Sequence, residues 1–271
     1  GAGNTAVGAL SLDANTTADN NTAVGYQALS ANTTGAESVA VGYQALLVST
    51  TAGANVAVGK GALTATTTGA QNTAVGYGSL GSNTTAANNT AVGLNALGAN
   101  TTGTENVAVG HSALVTATTV SGNTAVGYRA LEDSAVGENT AVGDGAARET
   151  TTGGSNVALG AYALQTNTTG AGNTAIGKDA LYANTTASNN TAVGLDALTA
   201  NTTGTENVAV GQNSLITNTT ASYNTAVGQG SMYANTTGAS NVAIGKSALV
   251  DNTTGAENVA VGKGALDAAT T

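Results

Sequence analysis

Few residues in this chain could do proton, thiolate or metal chemistry: there is one His and no Cys, with six Lys+Arg beside fifteen Asp+Glu. His111 would be the only imidazole base available to a hydroxyl nucleophile. It stands at a variable position that elsewhere holds Ala9, Tyr26, Lys60, Leu94, Asp144 and Gln212, and a position accepting all of these reads as solvent-facing. Glu132, Asp133 and Glu138 lie close in sequence and carry the oxygen chemistry for a hard cation or for paired-carboxylate hydrolysis. Nothing around them walls a cleft, so they read as a solvated turn. Gly172 to Lys178 has the letters of a phosphate loop without its strand-to-helix context. No column of Asp recurs as a calcium-binding roll would need. The expectation is a chain with no catalytic residue, no metal and no cofactor, and not an enzyme.

Two further sets of residues could contact ligands. Tyr26, Tyr43, Tyr77 and Tyr128 share one position, and stacked aromatics there could hold sugar rings or simply cover a strand edge. Thirteen Asn-x-Thr sequons occur, among them Asn15, Asn32, Asn83, Asn100, Asn184, Asn201, Asn235 and Asn252, which are candidate glycosylation sites. Because turns favour Asn and strands favour Thr, the pattern also arises with no glycan involved.

These residues are positioned by a repeat. Asn-(Thr/Val)-Ala-(Val/Ile/Leu)-Gly returns in sixteen units, with Ser38 in place of the Asn in one of them, from Gly8 to Gly262, at intervals of 17 residues except for the 16 between Gly127 and Gly143. A short fixed period means that each unit buries its apolar residues only when the next one stacks on it. Seventeen residues hold two strands of about four to six residues and two turns, and Thr, Val and Asn-Gly punctuation favour extended segments over helix. The same Ala recurs in every unit (Ala6, Ala23, Ala40 onward to Ala260). It marks a face with room for a methyl only, and its neighbours point the other way. The aliphatic column Val24, Val41, Val58, Val75, Val92 and Val109 lies on that opposite face and must also be buried; a second chain is needed to cover it. A recurrent Leu column, Leu12 to Leu266, is expected to fill a turn corner, the repeat Gly to serve a positive-φ or tightly packed turn, and the leading Asn to form an amide ladder or a left-handed turn.

Composition agrees with a thin core. The chain has no Pro, Cys, Trp or Phe, 38 Gly, and a hydrophobic share of 41%. No composition shift marks a boundary, so residues 1–271 read as one continuous array, a segment of a longer fibre. A net charge of -9 argues against nucleic-acid partners, and no apolar run is long enough for membrane insertion. The stretches Asn83 to Gly110 and Asn184 to Gly211 nearly coincide, a six-unit block duplication that lengthens a spacer without disturbing any site.

The motif Asn-(Thr/Val)-Ala-(Val/Ile)-Gly-x-x-(Ala/Ser)-Leu resembles the head repeats of trimeric autotransporter adhesins, and its longer form with Asn-Thr-Thr-Gly resembles shaft repeats of phage-type tail fibres. The period here is longer than the adhesin unit, and Leu and Thr-Thr are not part of that motif. The resemblance implies a left-handed parallel β-roll with three chains about a common axis. The expected fold is all-β, a parallel β-solenoid of about 16 coils. The expected role is an extracellular fibre segment on a cell or virion surface, associating with identical chains and presenting a receptor-binding part, with surface glycans or a host receptor as further partners. The alternative is an ice-binding or carbohydrate-binding solenoid. For ice binding the relevant residues are the Thr pairs from Thr16-Thr17 through Thr270-Thr271; the fibre reading instead has one Thr of each pair lining the coil and the other solvated.

Overall fold

The computed structural model describes residues 1–268 and forms two compact units, Gly1–Gly137 and Glu138–Thr271. The division falls in the one 16-residue repeat. Among the described residues each unit is an all-β parallel solenoid with no helix. The first carries eight strands from β1 (Thr5–Val7) to β8 (Thr124–Val126), and the second eight from β9 (Thr140–Val142) to β16 (Val259–Val261). Within each unit every strand pairs in parallel with the equivalent residues of the next coil, as in Thr22↔Val39, Ala23↔Ala40 and Val24↔Val41. A one-residue slip would turn the Ala column outward, so the Ala-in, Val-out alternation holds this register.

The coil contains one three-residue strand, not two longer ones. The half of the unit expected to extend is instead curled, because positive φ recurs at alternate residues: Gly25 at 130°, Gln27 at 54° and Leu29 at 52°. Its backbone is still satisfied by the neighbouring coils. The Gln27 N–H donates back to Ala9 O at 3.0 Å, and the Leu29 N–H donates forward to Ala45 O at 2.9 Å. The repeat Gly is required twice over. At Gly76 φ is 134°, and a Cβ there would lie 2.4 Å from the carbonyl oxygen of Gly93.

Leucine in a left-handed conformation is unexpected, since it costs about 1–2 kcal/mol. Leu29, Leu46, Leu63, Leu80, Leu97 and Leu114 all adopt it and are fully buried. Burying a Leu side chain contributes about 1.5–3 kcal/mol, which offsets the backbone strain, and the flanking Ala28-type residues leave room for it. The interior also holds the Ala23 column, a column of small residues that includes Ala18, Ala52 and Ala86, and two columns of small polar residues.

Those polar columns hold the coil together. In the first, Asn89 Nδ2 donates to Gly103 O across the coil at 2.8 Å, and its Oδ1 accepts the N–H of Asn106 in the next coil at 3.0 Å. The expected amide ladder is therefore present. In the second, Asn201 Nδ2 donates to Asn184 Oδ1, and Asn218 Nδ2 to Asn201 Oδ1, both at 3.0 Å. Buried amides are tolerated because nearly every donor finds an acceptor.

Candidate ligand-contact face

The position after the repeat Gly is exposed, as its tolerance of many residue types suggests. In the first unit it builds a ladder in coil order: Tyr26, Tyr43, Lys60, Tyr77, Leu94, His111, Tyr128. The rings of Tyr26 and Tyr43 stack at 5.6 Å with an 18° interplanar angle. Lys60 Nζ then sits 5.7 Å from the Tyr43 ring centroid and 5.6 Å from that of Tyr77. His111 lies 5.4 Å from Tyr128 in a tilted arrangement, and the guanidinium carbon of Arg129 is 5.1 Å from the Tyr128 ring. Each cation–ring contact at such an exposed site contributes about 0.5–1 kcal/mol.

A cleft of about 300 Å³ opens beside Tyr43, Lys60 and Tyr77, with Gln44 and Thr64 at its rim. It exists because three side chains are missing. Gly61 and Gly78 stand where equivalent coils carry Gln27, Gln44 and Asn95, and Gly81 where they carry Ser30, Leu47 and Thr64. A Cβ built on Gly61 meets nothing within 4 Å.

The second unit has a cleft of about 500 Å³ between Tyr162, Gln165, Lys178, Asp179, Tyr182 and Asp196. Its chemistry differs. Asp179 pairs with Lys178 at 3.1 Å, and this hydrogen bond, with the attraction of the same carboxylate, raises the Lys178 pKa above the ordinary lysine value. The Tyr162 hydroxyl donates to Asp144 Oδ2 at 3.3 Å, and the Thr199 hydroxyl to the Asp179 carbonyl at 2.5 Å.

The other candidate residues are dispersed. His111 is exposed on the ladder beside the Tyr128 ring. Glu132 pairs with Arg129 at 3.4 Å, Asp133 and Glu138 are exposed, and among the described residues no three His, Asp or Glu side chains are grouped for a metal ion. The valines Val24, Val41, Val58, Val75, Val92 and Val109 do share one outward column, and the single chain leaves them half-buried. In most Thr pairs the first hydroxyl is used, as Thr33 donates to Thr50 O at 3.0 Å, while the second Thr, such as Thr34, is exposed. Thr270-Thr271 lies outside the described residues.

The sequon asparagines require a correction. Asn32, Asn83, Asn100, Asn184, Asn201, Asn235 and Asn252 are fully buried; only Asn15, in the first coil, is half-buried. Their Nδ2, the atom a glycan would join, is committed inside the coil, as where Asn235 donates to Asn218 Oδ1 and Gly238 O at 3.0 Å. A signal of this was present: from Asn15 to Asn252 the position holds only Asn, Ser, Thr or Ala, never a charge and never anything larger than Asn. The exposed sequon asparagines are Asn20, Asn88 and Asn189, each preceding a buried unit-start Asn in a left-handed turn. No protein-family model matches the chain, and no curated protein matches it.

Proposed function

We propose that this chain is a structural segment of an extracellular fibre on a cell or virion surface. It associates with identical chains, three about a common axis, and carries a receptor-binding part away from its anchor. The observation that supports this reading most is the aliphatic column on the outer face of each strand ribbon. Val24 to Val109 form a regular stripe that the single chain leaves half-buried, and inside the array Val142, Ile176 and Ile244 of the same column are 37%, 37% and 42% exposed. A regular apolar stripe on a parallel ribbon favours coverage by another copy. Every coil spends its amides and backbone on its neighbours, which suits a spacer. Threefold association rests on the resemblance to adhesin heads. Ice binding has less support, because in most pairs only the second Thr is exposed and the first hydroxyl is donated to the next coil.

The test is the mass of the assembly. Light scattering on the wild type should give an oligomer. Replacing Val24, Val41, Val58 and Val75 together with Asp would place unpaired charges in a dry interface, at several kcal/mol each before relaxation, and should give monomer. A wild type that is already monomeric would remove the fibre reading.

A further inference from the structure

We propose that the cleft between Tyr43, Lys60 and Tyr77 binds a carboxylate-bearing sugar, the monomer type of a polyuronate. Among the described residues Lys60 pairs with no carboxylate, and its ammonium is centred between two tyrosine rings. In a chain of net charge -9, a cation kept clear of carboxylates inside a concave site calls for an anion from outside. No Asp or Glu lines this cleft.

The walls match a sugar ring better than a bare ion. Tyr43 and Tyr77 offer aromatic surface to the C–H face of a pyranose. The Gln44 amide and the Thr64 hydroxyl at the rim supply polar groups for its hydroxyls, the usual composition of a small-molecule site. The glycine floor admits the ring. The cleft of the second unit is a natural contrast: Asp179 already occupies Lys178, and Asp196 adds a further negative charge, so an anion is repelled there. A nucleic acid is a poor fit, since one lysine cannot neutralise a run of phosphates. This site does not depend on self-association.

The array supplies its own fold-neutral test substitutions. Lys60→Gln installs the residue that Gln212 and Gln229 place at the same position, and Gly61→Gln installs that of Gln27 and Gln44, whose φ values of 54° and 56° resemble the 69° of Gly61. Both variants should melt within a few degrees of wild type, as surface substitutions do. Binding of a tetragalacturonate to the full chain is measured by titration calorimetry, with a neutral galactose oligosaccharide of equal length as control. The wild type should bind the uronate and prefer it to the neutral sugar by about fivefold. Lys60→Gln should abolish that preference, Gly61→Gln should abolish binding by filling the cleft, and Lys178→Gln should change nothing. A variant with Val193, Val210 and Val227 of the same column in the second unit changed to Asp, away from this cleft, should bind as wild type does, which separates this site from the fibre reading. No binding by the wild type, equal affinity for the neutral sugar, or full binding by Gly61→Gln would overturn the proposal.

Discussion

Replacing Asn89 probes the amide ladder at a point where every partner is known. Its side chain is 1% exposed. Nδ2 donates to Gly103 O at 2.8 Å and to Asn72 Oδ1 and Ala87 O, both at 3.3 Å, while Oδ1 accepts the Asn106 N–H at 3.0 Å and the Asn106 Nδ2–H at 3.1 Å. In Asn89→Ala, Gly103 O keeps a second donor from Asn100 at 3.0 Å, and Asn106 Nδ2 keeps Val120 O at 2.8 Å. The Asn106 N–H keeps no other partner. Stranding that one buried donor costs about 1–3 kcal/mol, and the emptied space adds about 1 kcal/mol. The expected loss is therefore about 2–4 kcal/mol, independent of pH.

Asn89→Asp keeps the shape but points an oxygen at three acceptors, Gly103 O, Asn72 Oδ1 and Ala87 O. Burial without a cation raises a carboxyl pKa by up to about 3–5 units. The sign follows from the linkage: a group whose folded pKa is raised leaves the fold unpenalised below its unfolded pKa of about 3.9 and penalises it as pH rises above that. The variant should thus lose about 1.4 kcal/mol per pH unit between pH 5 and pH 7 relative to wild type. The neighbouring Asn88→Asp, at an exposed position, is the control and should lose almost nothing. Urea denaturation followed by circular dichroism at several pH values reads all three. If Asn89→Asp and Asn88→Asp are equally stable at pH 7, the side chain of Asn89 does not lie inside the coil and the ladder is wrong.

Gly76→Ala adds a methyl 2.4 Å from the Gly93 carbonyl oxygen at a φ of 134°; it should cost at least about 2 kcal/mol in the same denaturation assay, and a neutral result would refute the close coil stacking. Ser49 interrupts the second ladder, and its buried hydroxyl lacks a partner, so Ser49→Asn should stabilise by about 1 kcal/mol; a lower denaturation midpoint would mean that this coil has no room for the amide. With one exposed Thr column only, the chain should show no thermal hysteresis in ice, and activity lost on changing Thr34, Thr51 and Thr68 to Tyr would promote the ice-binding reading instead.

The repeat by itself determined the period, the parallel register and which face is which. Only Ala fits the inward strand position, and only Gly tolerates both the dihedral and the approach of the next coil, so residue identity there reports geometry directly. Three features were decided by tertiary stacking. The second half of each unit curls instead of forming a strand, because the neighbouring coils accept and donate its hydrogen bonds whatever the local φ. Leu29 and its equivalents take a left-handed backbone that no local preference would assign, since burying the side chain outweighs the strain. The Asn-Thr-Thr asparagines read as surface turn residues by propensity, yet lie inside, because each amide closes its own turn, as Asn235 does on Gly238 O, and completes its bonding only through the adjacent coil, as Asn235 does on Asn218 Oδ1. The cleft at Lys60 has the same origin: Tyr43, Lys60 and Tyr77 are 17 residues apart in the chain, and only stacking one coil on the next makes them neighbours over a floor of glycine.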